Sequence, residues 1–167
     1  MSDTTRRDLI RSIAMSVTLA GVSEADGQHV HHEVAEEKKA AGVYQPKVFA
    51  AHEYETLRKL ADLIIPADEV SAGAVEAGAP EFVDLLCNGN RQLESIFRGG
   101  LAWLDAASAK RFKEPFLAAA PEQQREMLDA IAYRKNETPE LAPGIEFFAW
   151  ARRLTVDAFY TSKIGIA

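Results

Sequence analysis

The chain has 167 residues and a formal net charge of −6, with Lys+Arg 19 against Asp+Glu 25. That balance argues against a nucleic-acid binder or a polybasic membrane-surface protein, since both need surplus cations to neutralise phosphates. The composition, 47% hydrophobic and 26% charged, is that of one globular domain with its own core, and the single cysteine excludes a disulfide framework, a Cys-rich zinc site, a thiolate-held iron–sulfur cluster and CxxCH haem attachment within this chain alone.

Residues 1–25 have the layout of an export signal. Thr5-Arg6-Arg7-Asp8-Leu9-Ile10-Arg11 leads into a modest apolar stretch from Leu9 to Val22, with small residues at Ala20 and Ala25. The stretch is too short and too polar for a spanning helix. The arginine pair, Arg6 and Arg7, fits a twin-arginine signal better than a general secretory one. Ala20-Gly21 and Ala25-Asp26 are the two candidate cleavage bonds, with the choice between them and cleavage itself left open by the sequence, and the alternative is an amphipathic helix of a cytosolic protein. The twin-arginine route exports folded proteins and serves those whose cofactor is inserted in the cytosol. No Gly-rich dinucleotide fingerprint, phosphate loop or haem motif occurs here. A folded-export signal on a chain without a cofactor motif suggests an escort for a partner that holds the cofactor.

Residues 26–48 read as a polar linker that could carry a short helix, turning extended before Pro46. It holds His29, His31 and His32, and a periplasmic metal-binding protein built on that cluster is the alternative function. No carboxylate or thiolate framework fixes their geometry, and the Glu-x-x-His spacing of di-iron bundles is missing. A solvated cluster is the plainer reading.

From residue 49 the period turns helical. Tyr54, Leu57, Leu60, Ala61, Ile64 and Ile65 recur every three or four positions until Pro66. A turn-rich loop follows, and a second helix opens at Pro80, carrying Phe82, Val83, Leu85, Leu86 and Cys87 until Asn88-Gly89-Asn90. A third begins near Arg91 with Leu93, Ile96, Phe97, Leu101 and Leu104 on one stripe. Gly99-Gly100 interrupts that stripe, and predicts either a close backbone neighbour or a kink. Residues 111–120 connect to a fourth helix from Pro121, residues 136–144 form a loop, and an aromatic helix runs from Ile145 to about Tyr160. No alternating strand and no repeat is present. The expectation is an all-α fold, a single domain (49–167) of about five short helices behind the signal and linker.

The run Leu60-Ala61-Asp62-Leu63-Ile64-Ile65-Pro66-Ala67-Asp68-Glu69, with Ala77-Gly78-Ala79-Pro80-Glu81-Phe82-Val83-Asp84, resembles the signature of the gluconate 2-dehydrogenase subunit 3 family. The likeness continues through Gly99-Gly100-Leu101-Ala102-Trp103-Leu104-Asp105, Pro121-Glu122-Gln123-Gln124, Phe147-Phe148 and Leu154 to Tyr160. Two departures stand out. Ser71-Ala72-Gly73 occupies the place of Ser-Pro-Gly, and the C-terminal tail after Ile164 is shorter than in relatives.

The resemblance implies a non-catalytic small subunit of a periplasmic, membrane-associated, FAD-dependent sugar, sugar-acid or polyol dehydrogenase. Its partner would be a large subunit of the glucose-methanol-choline (GMC) type that holds the FAD, with a cytochrome c subunit or another acceptor taking the electrons. No cofactor would belong to this chain itself. The small subunit would assist folding of the catalytic chain and carry both to the twin-arginine translocation machinery.

Other readings of the marked residues are structural. Asp62, Asp68 and Glu69 could do acid–base work, but no His or nucleophile stands near them in sequence, so turn formation is expected. Cys87 reads as a small buried hydrophobe, with a disulfide to the partner as its alternative. Phe147, Phe148, Trp150, Phe159 and Tyr160 are divided between core packing and a subunit interface.

Overall fold

The computed structural model describes residues 3–167, with side chains from residue 6 onward. The breakers read in the sequence fall at helix ends. Pro66 lies two residues past α3 (Ala51–Ile64), and Pro80 sits in the first turn of α4 (Ala79–Gly89). Asn90 caps α5 (Arg91–Phe112), its side-chain oxygen accepting the Leu93 N–H at 3.1 Å. Pro121 opens α6 (Pro121–Ile131), where Gln123 reaches back to the Ala120 N–H at 2.9 Å. Helix α7 (Ala142–Thr161) starts three residues earlier than the apolar period indicates. Pro143 and Gly144, expected in the loop, lie in its first turn, because an N–H is dispensable there. One-turn α8 (Lys163–Ile166) closes the chain, with the Ser162 hydroxyl accepting the Gly165 N–H at 3.0 Å.

The two N-terminal helices are α1 (Asp3–Ser16) and α2 (Glu24–Ala41). The segment expected as a linker therefore contains an 18-residue helix. Its buried stripe is narrow, only Gly27, Val30 and Val34, which is why polarity dominates its composition. Signals for it were present: Ser23 accepts the Asp26 N–H at 3.2 Å, Glu24 and Asp26 occupy the first turn, and Lys38 and Lys39 the last, each complementing the helix dipole.

Among the described residues there are eight α-helices and no strand, so the all-α, single-domain expectation holds. Helix α4 is buried nearly all round and touches α1, α2, α3, α5 and α7. A helix so enclosed needs apolar residues on every face, and Phe82, Val83, Leu85, Leu86 and Cys87 provide them. Helix α7 is the second spine, packed on α2, α3, α4, α5, α6 and α8.

The α5–α7 contact explains half of the glycine pair. An added Cβ at Gly100 would overlap the Phe147 ring, whereas nothing lies within 4 Å of one at Gly99. The close neighbour is thus an aromatic side chain rather than a backbone. Phe147 in turn meets Phe97 edge-on, with centroids 5.7 Å apart.

The pair separates in a test. Gly99→Ala should raise stability by about 0.5–1 kcal/mol, the helix-propensity gain. Gly100→Ala should lower it by about 1–3 kcal/mol through overpacking. Urea unfolding of the two variants against wild type measures both.

Candidate functional site

Arg6 and Arg7 lie on α1, half-buried and exposed respectively. With Arg11 they line one wall of a cleft of about 860 Å³ whose other wall carries Glu33, Glu36 and Glu37 of α2. Below them Ile10, Ile13 and Ala14 are buried.

The three histidines do not converge. Residues 29, 31 and 32 of one helix project about 200° and 300° round from the first, so His31 points away from His29. His29 and His32 are exposed, while His31 faces inward. Its Nε2 lies 2.7 Å from the Ala158 carbonyl oxygen, the geometry of a protonated Nε2 donating, and its ring packs on Phe82 at 5.0 Å. Burial holds this imidazole below its ordinary value, against the raising pulls of the Ala158 carbonyl and Glu81. No group of three or more His, Cys, Asp or Glu able to hold a metal occurs among the described residues. The metal reading of this cluster is corrected accordingly: His31 is a packing and hydrogen-bonding residue.

Of the three acidic candidates, Asp68 holds backbone. Asp68 accepts the N–H groups of Ser71 at 2.7 Å and Val70 at 2.8 Å, and those bonds hold its carboxyl below the usual range. Asp62 pairs with Lys59 at 3.3 Å, and Glu69 is exposed.

The aromatic set splits. Phe147 and Phe148 are buried within the chain, Trp150 and Phe159 are half-buried, and Tyr160 is 62% exposed. Cys87 is fully buried and burial pushes its thiol well up, so as an interface residue it is corrected to core. Phe147 and Phe148 are corrected likewise. Of the set, Phe159 and Tyr160 remain at the surface end of α7, their rings edge-to-face at 5.3 Å. Ile164 and Ile166 follow on α8, also exposed.

Sequence reasoning missed Asp84. Its carboxylate is wholly buried in α4 and accepts four bonds: Tyr44 Oη at 2.7 Å and the N–H groups of Lys47 at 2.7 Å, Val48 at 3.1 Å and Phe49 at 3.3 Å. This set fixes the extended entry to α3. Burial foremost, then the Asp84 charge, pushes the Tyr44 phenol far above its ordinary value, so it stays a donor. The available signal was a lone carboxylate inside an otherwise apolar run, Phe82 to Cys87.

A family model described as Gluconate 2-dehydrogenase subunit 3 matches residues 51–167, from the start of α3 through α8. No curated protein and no solved structure matches the chain.

Asp84→Ala strands four donors and should cost about 3 kcal/mol, whereas Tyr44→Phe, which removes one donor and leaves the carboxylate satisfied, should cost about 1 kcal/mol. Denaturant unfolding distinguishes them. His31 predicts a pH dependence. Its folded-state value is lowered, so the unfolded chain binds the proton more readily. The stability it supports is complete above the ordinary value of 6.5 and is lost as pH falls through it. The urea midpoint should fall between about pH 7.5 and about pH 5.5, less steeply in His31→Gln.

Proposed function

Because the chain belongs to the gluconate 2-dehydrogenase subunit 3 family, we propose that it is the non-catalytic small subunit of a GMC-type flavin dehydrogenase acting on sugars, sugar acids or polyols. In this reading it assists folding of the catalytic subunit and takes that subunit through the twin-arginine route on its own Arg6-Arg7 address. The complex then works in the periplasm, associated with the membrane and passing electrons to a cytochrome c subunit or another acceptor.

The observation that carries the reading is the match over residues 51–167, which makes the chain a subunit of a dehydrogenase assembly. Three features support the finer parts. The described residues contain no strand, hence no strand–turn–helix phosphate cradle of the dinucleotide kind, which favours placing the FAD in the partner. No described helix is long and apolar enough to cross a membrane, which favours attachment through the complex. Tyr160, Ile164 and Ile166 put exposed apolar surface at one end of the fold, 62%, 39% and 53% exposed, and half-buried Phe159 adjoins them. Aromatic and aliphatic groups of this kind anchor subunit contacts, and the catalytic subunit is the occupant proposed for them.

Co-expression with a GMC-type flavoprotein subunit, followed by cell fractionation, tests the reading. Wild type should bring flavin-dependent sugar oxidation to the periplasm, and Arg6→Lys/Arg7→Lys should leave both chains in the cytosol. Deleting the small subunit should leave the flavoprotein cytosolic or degraded. A purified small subunit that holds flavin stoichiometrically, or that oxidises sugar unaided, would falsify the proposal.

A further inference from the structure

We infer that residues 3–20 stay on the folded protein as its first helix and the turn after it, because the fold closes both bonds at which an export leader would be removed. The inference rests on the export reading of Arg6 and Arg7, and it concerns what happens to that segment afterwards.

A peptidase binds its substrate as an extended strand and uses the main-chain groups around the bond it cuts. Neither candidate bond offers them. At Ala20–Gly21 the carbonyl of Ala20 accepts Arg153 Nη2 at 2.7 Å. The Gly21 N–H donates to the Thr18 carbonyl at 3.0 Å in a tight turn, with Gly21 at φ +115°, a conformation far from a strand and strained for any side chain. An added Cβ there would also overlap the Arg153 guanidinium. On the far side, Val22 N–H donates to Asp157 Oδ2 at 2.9 Å, and that carboxylate, 8% exposed, lies 3.3 Å from Arg153 Nε. At Ala25–Asp26 the bond lies in the first turn of α2, where Ser23 Oγ takes the Asp26 N–H and the Ser23 carbonyl takes the Gly27 N–H at 2.8 Å. Gly27 is pressed against Thr161 with no room for a Cβ.

Helix α1 is seated by equally specific means. Asn90 Nδ2 donates to the Ala14 carbonyl at 2.9 Å, capping the end of α1 with the residue that also caps α5. Gly89, which reads in the sequence as a helix breaker, has its open side filled by Ala14, and a Cβ there would come within 2.6 Å of the Ala14 Cβ. Asn90, Arg153 and Asp157 thus each make one side-chain hydrogen bond to the main chain of residues 14–22. Removal at Ala25–Asp26 would leave Asp157 without the Val22 donor, and removal at either bond would uncover the face on which Ile10, Ile13 and Ala14 are buried.

Intact-mass measurement of the protein from the exported fraction is the first test, and the full-length mass is expected. A chain beginning at Gly21 or Asp26 overturns the inference. A chain absent from that fraction sinks the export reading instead, and a second measurement then decides the inference by itself. Brief proteinase K digestion of the purified full chain should spare residues 17–26 in wild type. Arg153→Ala, which releases the Ala20 carbonyl, and Gly89→Leu, which pushes α1 off α4, should each be cut there at least tenfold faster. Equal cutting in wild type and in Arg153→Ala overturns the inference.

Discussion

One buried carboxylate organises this fold. Asp84 sits in the most enclosed helix and collects a phenol and three consecutive backbone N–H groups, those of Lys47, Val48 and Phe49. A carboxylate taken out of water is tolerable only when its lone pairs are filled, and four donors fill them. The gain is directional. The chain leaving α2 is tied to α4 at the point where it must turn into α3, and Phe49 is thereby set against Phe97, with ring centroids 6.4 Å apart. Apolar burial alone supplies cohesion without such register, since it is non-directional.

The same device recurs. Asp105 accepts the Phe116 N–H at 3.0 Å and meets His52 Nε2 at 2.5 Å, joining α5, the connector after it and α3. Asp157 accepts from Val22, and Asp68 from Val70 and Ser71. An all-helical chain has no sheet ladder to satisfy the N–H groups of its connecting segments, so short acidic side chains take that work. Asp68, which invites an acid–base reading in the sequence, is thereby committed to backbone. At the outer end of α7 and on α8 the core leaves Tyr160, Ile164 and Ile166 exposed.

Most of α3 to α7 was legible in the residues themselves. Periodic apolar positions and Pro66, Pro80, Asn90 and Pro121 mark the helices to within a few residues, because propensity and chain breakers act locally. Helix α2 escaped, since three buried positions in eighteen residues leave almost no apolar period to detect. The Gly99-Gly100 pair was recognised as unusual, yet only the position of Phe147 shows that one glycine is required and the other is not.

Sequence alone thus determined the helical class, the family and the punctuation of the chain from residue 51 onward, all of which are written in neighbouring residues. Tertiary structure decided which of the marked side chains face outward. Cys87 and Phe148 went to the core and Tyr160 to the surface, and Asp84 became a hub for donors some 35 to 40 residues away. Such assignments depend on which helix lies opposite, and a local pattern carries no information about that distant neighbour.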